Sequence, residues 1–175
     1  MFRFIYIYTL LLIAFIRQGV HALVYMTIWN LCFQCCYFYL YEKHIRNDYF
    51  VYLQNICWTL SPIFIAYWGL SMSWNHSVLW YDISVHGINV VLFWYTLFPT
   101  HTIDVKHLWV SYIVLFSYLM VAYGYTALYG SIYPTNFFVL ENSLLFGMLT
   151  LVLPYINHVA LPPSYHPKRS DCLKV

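Results

Sequence analysis

Long apolar stretches alternate with short polar segments along the whole chain of 175 residues. A helix that crosses the hydrocarbon core of a bilayer needs about 20 predominantly apolar residues, and the last five stretches approach this length. The pattern therefore predicts an all-α protein built from about six membrane-spanning helices. We expect these spans at 4–16, 22–41, 50–73, 79–98, 108–128 and 137–157.

The first stretch, 4–16, is shorter than the others and has the length of the apolar core of a signal peptide. The tripeptide 20–22 loosely resembles a cleavage site, so two interpretations stay open: a retained helix, which we favour, and a cleaved signal. Cleavage would leave the later helices in the same orientation.

Composition indicates the same class of protein. Hydrophobic residues make up 62% of the chain and charged residues 8%, against roughly 45–50% and 25% in soluble domains. Aromatic residues reach 22%, and many lie near segment ends, where their rings favour the membrane interface. We therefore expect a single polytopic transmembrane domain surrounded by membrane lipids. The net charge of +2 comes without a basic patch, so no nucleic-acid partner is expected.

The basic residues predict the orientation. Only Arg17 falls on one side of a six-helix topology, and the seven other lysines and arginines fall on the opposite side. Because basic loops stay in the cytoplasm, we expect both termini there, with 158–175 as a short cytoplasmic tail. The protein would lie in the endomembrane system, such as the endoplasmic reticulum, or in the plasma membrane. The seven residues are Arg3, Lys43, Arg46, Lys106, Lys168, Arg169 and Lys174.

Cys32 and Cys35 have the spacing of a metal-binding pair. They lie in an apolar segment, and no second pair of cysteines or histidines stands in register with them. Buried cysteines of this kind usually behave as small hydrophobic residues. We therefore expect neither a metal site nor a cofactor.

Two polar stripes interrupt the apolar spans. Asp82, His86 and Asn89 follow i, i+4, i+7 spacing in the fourth span. A second stripe in the second span is formed by Thr27, Asn30 and Gln34. Polar stripes facing lipid are costly, so both should face the protein interior and each other. The simplest alternative is that these side chains only form hydrogen bonds between helices.

Four polar residues from three spans lie at a similar depth. Thr27, Asp82, His86 and Glu141 stand three to seven residues inside spans that enter from the same side, which places them roughly 5–11 Å from that boundary. A carboxylate inside a membrane span indicates a functional site by default. We therefore predict one polar layer open to the outer leaflet or lumen.

Nucleophilic catalysis is the chemistry that fits this layer. Thr27 supplies a hydroxyl, and His86 would act as its general base. Asp82, one turn before His86, would orient the imidazole. The amides of Asn30 and Asn89 are candidate donors to an oxyanion. Glu141 is expected at the outer rim, protonated or hydrogen-bonded.

Two short segments resemble the androgen-induced/rolling stone family of multi-pass membrane proteins. The segment 26–31, MTIWNL, resembles the T-x-W element of that family. The segment 82–89, DISVHGIN, resembles its central segment, in which a histidine stands just inside a helix. The H-x-x-N form is similar to the rolling stone-like branch, and the resemblance covers most of residues 22–157.

That family includes threonine hydrolases that cleave fatty acid esters of hydroxy fatty acids with one threonine and one histidine. The resemblance implies these roles for Thr27 and His86. Other family members are associated with cell fusion in muscle development. The present chain is shorter, has a cramped first loop, and carries Asp82 where the hydrolase branch has asparagine.

Three functions remain in view from the sequence. The first is an intramembrane hydrolase of lipid esters. The second is a non-enzymatic membrane protein of adhesion, fusion or scaffolding, in which the stripes only join helices. The third is an ion-coupled carrier with Asp82, His86 and Glu141 as relay groups. The carrier is disfavoured because its ionisable residues would cluster in one leaflet and no inverted repeat is visible.

Overall fold

A computed structural model describes residues 1–72, 80–97, 105–130 and 152 of the chain. Within these ranges all regular structure is helical, which confirms the all-α prediction. The α-helices are α1 (Phe2–Gln18), α2 (Met26–Glu42), α3 (Asp48–Met72), α4 (Trp80–Ile83), α5 (Asn89–Leu97) and α6 (Leu108–Tyr129). A π turn, Ser84–Ile88, joins α4 to α5, and 3-10 segments cover Gly19–Val24 and Val105–His107. The predicted sixth span, 137–157, lies outside the described residues except for position 152.

The first helix is longer than the sequence predicts. α1 ends where Gly19 adopts a φ of 58°, a conformation that glycine reaches without steric cost. The chain then continues as a 3-10 segment to Val24. The combined stretch Phe2–Val24 and the helix Leu108–Tyr129 are, by length and composition, able to cross a membrane. The structure thus contains two candidate membrane-spanning helices within its described part.

The helices α2 and α3 form the centre of the described structure. α2 packs against α1 and α3, and α3 also packs against α6, the π turn and α5. Tyr37 of α2 is fully buried where three helices meet. Its ring stacks on Phe50 of α3 with a centroid distance of 5.0 Å and meets Phe93 of α5 edge to face at 5.2 Å. These contacts fix the relative height of α2, α3 and α5.

α1 and α2 run antiparallel, because the start of one meets the end of the other. The amino group of Met1 lies 2.8 Å from Glu42 Oε2, and the Phe4 backbone N–H donates to Glu42 Oε1 at 3.4 Å. A carboxylate at the N-terminus of a helix is stabilised by the helix dipole and by the unpaired N–H groups there. We call this side of the molecule the Glu42 end and the opposite side the Thr27 end.

The helix from Trp80 to Leu97 runs parallel to α2. Only seven residues separate Met72 from Trp80, and the eight Cα steps between them span at most about 28 Å. Trp58 of α3 and Trp94 of α5 have ring centroids 6.0 Å apart. If α5 ran in the same direction as α3, Met72 and Trp80 would lie on opposite sides of this contact, about 42 Å apart. The chain therefore turns back along α3.

Arg46 closes the C-terminal end of α2. Its Nη1 donates to the carbonyl oxygens of Leu40 at 3.5 Å and Tyr41 at 3.4 Å, which also accept the backbone N–H groups of Ile45 and His44. The guanidinium carbon also lies 4.7 Å from the ring centroid of Tyr41 and 4.3 Å from that of Phe50. One side chain thus joins the end of α2 to the start of α3.

We expect Arg46→Ala to lower the free energy of unfolding by about 1–2 kcal/mol, from about 0.3–1 kcal/mol at the helix terminus and about 0.5–1 kcal/mol for a cation–π contact. Thermal unfolding in detergent, followed by tryptophan fluorescence, measures the change. Lys43→Ala removes the same charge from an exposed neighbour and serves as the control. An equal loss of stability in both variants would mean that net charge, rather than the cap, is responsible.

Candidate functional site

Thr27 lies in the first turn of α2, where its side chain is half-buried. The chain reaches it through Tyr25, whose extended backbone (φ −91°, ψ 127°) separates the 3-10 segment from α2. Trp29 Nε1 donates to the carbonyl oxygen of Leu23 at 2.7 Å, which holds the 3-10 segment against the start of α2. The N-terminal turn of a helix favours negative charge, so this position suits a hydroxyl that must become an alkoxide.

His86 lies in the middle of the π turn Ser84–Ile88. Its side chain is half-buried, and its Nδ1 atom is fully buried. Within the turn, backbone hydrogen bonds run from i to i+5, and such turns occur mostly as single insertions in α-helices, frequently at functional sites. The turn packs against both α2 and α3. His86 is therefore carried on the element that faces the helix of Thr27.

Local sequence features favour an irregular turn here. Ser84 Oγ donates to the Trp80 carbonyl oxygen at 2.9 Å, a bond back along the helix that tends to bend it. Gly87 lies inside the turn, and glycine has a low helix propensity. A Cβ added at Gly87 would meet no atom within 4 Å, so close packing is not what requires glycine there.

The π turn corrects the geometry expected for the stripe of Asp82, His86 and Asn89. The i, i+4, i+7 argument assumes a regular α-helix over 79–98, whereas the structure widens the helix between the first and last of these residues. The backbone of Asp82 belongs to α4, and its side chain lies outside what the structure describes. The contact between Asp82 and His86 therefore stays a prediction. Glu141 lies outside the described residues, so its position at the rim is also untested.

The contact between Tyr37 and Phe93 gives the heights of the polar residues along the parallel helices. Thr27 lies ten residues before Tyr37, and His86 lies seven residues before Phe93, which corresponds to about 15 Å and about 10 Å. Asn30 lies at nearly the same height as His86. Measured along the helices, Thr27 thus lies about one helical turn further from the contact between Tyr37 and Phe93 than His86 does. Convergence of the two side chains remains a prediction.

Three buried amides lie at the level of His86 or nearer the Glu42 end. Asn30, Gln34 and Asn89 are fully buried, and neither the oxygen nor the nitrogen of any of these amides forms a hydrogen bond with the residues that the structure describes. Their place on polar stripes was predicted from the sequence, but their lack of partners was not. Gln54 of α3 and the hydroxyl of Tyr37 were not predicted as site groups, yet both are buried, and Gln54 Nε2 and Tyr37 Oη also lack hydrogen bonds to the described residues. In the sequence, these two residues could have been noticed as a glutamine and a tyrosine that stand within apolar spans.

Cys32, Cys35, Cys36 and Cys57 are free thiols. Among the described residues, no three or more histidine, cysteine, aspartate or glutamate side chains come together as a metal site would require.

Comparison with known proteins adds no further assignment. No family model matches the chain, and no curated protein or solved structure matches it either.

Proposed function

We propose that this protein is an integral membrane protein of about six spans with both termini in the cytoplasm. The candidate spanning helices Phe2–Val24 and Leu108–Tyr129 support this proposal, as does the seven-to-one division of the basic residues. We place it with the androgen-induced/rolling stone family on the two segments that resemble that family. The membrane would be an endomembrane, such as that of the endoplasmic reticulum, or the plasma membrane.

The proposed activity is hydrolysis of lipid esters of the kind formed between a fatty acid and a hydroxy fatty acid. The observation that carries it is the packing of the His86 π turn against α2, the helix whose first turn holds Thr27. A nucleophile and its base on two adjoining helices can react with a substrate that enters sideways from the bilayer. Neither group needs a cofactor for this chemistry.

The mechanism follows from the residue types. Thr27 Oγ attacks the ester carbonyl while His86 takes the hydroxyl proton, and His86 then gives that proton to the departing alcohol. The acyl group is left on Thr27 until water attacks it, with His86 again accepting the proton and returning it to Thr27 Oγ. An amide N–H of Asn30 or Asn89 would donate to the oxyanion of each tetrahedral intermediate. Asp82 would orient His86, and Glu141 would line the rim.

The non-enzymatic alternative predicts different hydrogen bonding for the buried amides. If the stripes served only to join helices, Asn30, Gln34 and Asn89 should bond across the interfaces they occupy. Instead, all three amides are buried and form no hydrogen bond to any described residue. This favours a site that binds a ligand over one that only holds helices together.

Hydrolysis by the purified protein of a panel of lipid esters tests the proposal. We expect Thr27→Ala and His86→Ala to lower the rate at least about 100-fold, since a general base contributes about 10²–10⁴-fold. Asp82→Asn should lower it less, because this residue positions His86 and does not touch the substrate. Equal losses in all three variants would place Asp82 in the chemistry or in the fold. No hydrolysis of any ester by well-folded protein would favour the non-enzymatic function.

A further inference from the structure

The buried amides on α2 and α5 point to a second site that extends from the level of His86 towards the Glu42 end. Asn30, Gln34 and Asn89 are each 0% exposed, and within the described part of the chain none of their six amide N and O atoms forms a hydrogen bond. Leaving one buried polar group unpaired is costly, and leaving six in one region would offset much of the small net stability of a folded protein. These atoms are therefore expected to bind something other than their neighbouring side chains.

The register of the helices arranges these amides in a column. Counting from the contact between Tyr37 and Phe93, Gln34 and Asn89 lie about 5 and 6 Å towards the Thr27 end, and Asn30 lies about 10 Å along. The buried hydroxyl of Tyr37 also lacks a partner and marks the opposite end of the column. There the aromatic rings of Phe50 and Phe93 pack on Tyr37 and close it.

The hydrogen-bonding groups of the column and their lack of charge determine which kind of ligand can bind there. Each amide offers both donors and an acceptor, and the fully buried residues of the column carry no formal charge. The ligand must therefore be neutral and must both donate and accept hydrogen bonds. Gln34 and Asn89 lie at nearly the same height, and Asn30 lies about 5 Å further along, a step that one oxygen atom can bridge with two hydrogen bonds of about 2.8 Å. Water fits this spacing, and buried water typically binds such otherwise unpaired polar groups.

We propose that Asn30, Gln34 and Asn89 form a buried binding site for a short file of water molecules that leads towards Thr27 and His86. The role of this water rests on the function proposed above. Hydrolysis of the acyl group on Thr27 consumes one water molecule, which the file would supply beside the acyl carbonyl. Water from the file attacks the acyl carbonyl, His86 takes its proton, and the carboxylic acid leaves as Thr27 Oγ regains a proton.

Radiolytic hydroxyl-radical footprinting detects the water without any assay of activity. Radicals formed from bound water should oxidise Tyr37 although its ring is 0% exposed. Tyr118 of α6 is the matched control, because it is 2% exposed and packs in a separate apolar cluster. Gln34→Met should reduce oxidation of Tyr37 and leave that of Tyr118 unchanged. Oxidation of Tyr37 at or below the level of Tyr118 in the wild-type protein would overturn the proposal.

Thermal unfolding gives an independent test, in which the direction of the change in melting temperature distinguishes the two cases. If the amides bind nothing, replacing Gln34 by the apolar methionine removes a desolvation cost and raises the melting temperature. If they bind water, Gln34→Met loses these bonds, and the melting temperature falls or stays unchanged. Ser111→Ala is the control, since Ser111 Oγ of α6 is also buried without a hydrogen bond but lies on another helix. A rise for Gln34→Met at least as large as that for Ser111→Ala would contradict a water site.

Rapid-quench mass spectrometry with a lipid ester tests the role of the water. Gln34→Met should acylate Thr27 as fast as the wild-type protein but release the acid several-fold more slowly, so that acylated protein accumulates. A variant that releases acid at the wild-type rate would refute the supply of water from this site. A wild-type protein that never becomes acylated would refute the proposed hydrolase instead, and the footprinting result would still decide whether water is bound.

Discussion

Thr27→Ala and His86→Ala are each expected to abolish covalent labelling of the protein by a lipophilic serine/threonine hydrolase probe in membranes. Reactive phosphonates of this type modify a hydroxyl that a neighbouring base has activated, whereas a threonine that only bridges helices is inert. The position of Thr27 in the first turn of α2 adds the favourable end of the helix dipole to this activation. The wild-type protein should therefore be labelled at Thr27 and at no other threonine.

Two control variants separate loss of chemistry from loss of fold. Thr59 of α3 is a fully buried threonine, and His21 is an exposed histidine whose Nδ1 lies 3.0 Å from the Tyr125 hydroxyl. Thr59→Ala and His21→Ala should leave labelling unchanged. Hydrogen bonds between membrane helices average only about 0.6 kcal/mol, so none of these substitutions should remove the protein from the membrane. A well-expressed wild-type protein that takes no label would point to the non-enzymatic function.

Deleting Gly87 is expected to lower hydrolysis about 100-fold while the protein still folds and reaches the membrane. A π turn is a one-residue insertion, so removing one residue from it restores a regular α-helix and leaves α4 and α5 in register with their neighbours. His86 would then leave the position that the wide turn gives it. A displacement of about 1 Å in a catalytic group can cost about 10²-fold in rate.

Deletion of Val91 is the matched control for this experiment. Val91 lies in the regular helix α5, where the loss of one residue turns every later side chain by about 100°. That rotation would move Phe93 away from Tyr37 and should abolish expression of folded protein. Full hydrolytic activity after deletion of Gly87 would show that the π turn has no part in placing His86. Loss of folded protein in both variants would show that the turn is needed for packing.

The helices could be predicted because their cause is local in the sequence. An apolar stretch must satisfy its own backbone hydrogen bonds in hydrocarbon, and a helix achieves this within one segment. The end of the first helix was predicted less well, because α1 continues two residues beyond the predicted boundary at 16 and a 3-10 segment follows it to Val24. Asn30, Gln34 and Asn89 were recognised as polar residues on inward-facing stripes because helical spacing is itself a sequence property.

The remaining features depend on contacts between segments that are distant along the chain. No spacing rule distinguishes the π turn at 84–88 from the α-helix expected there, because an α-helix and a π turn use the same backbone region and differ by one inserted residue. The heights of α2 and α5 depend on the packing of Tyr37 between Phe50 and Phe93. The sequence by itself determined that the described part of the chain is helical and apolar, and that Asn30, Gln34 and Asn89 face inward. Only the tertiary structure decided that His86 lies on a π turn and that the buried amides lack partners, because burial and pairing are properties of several helices packed together.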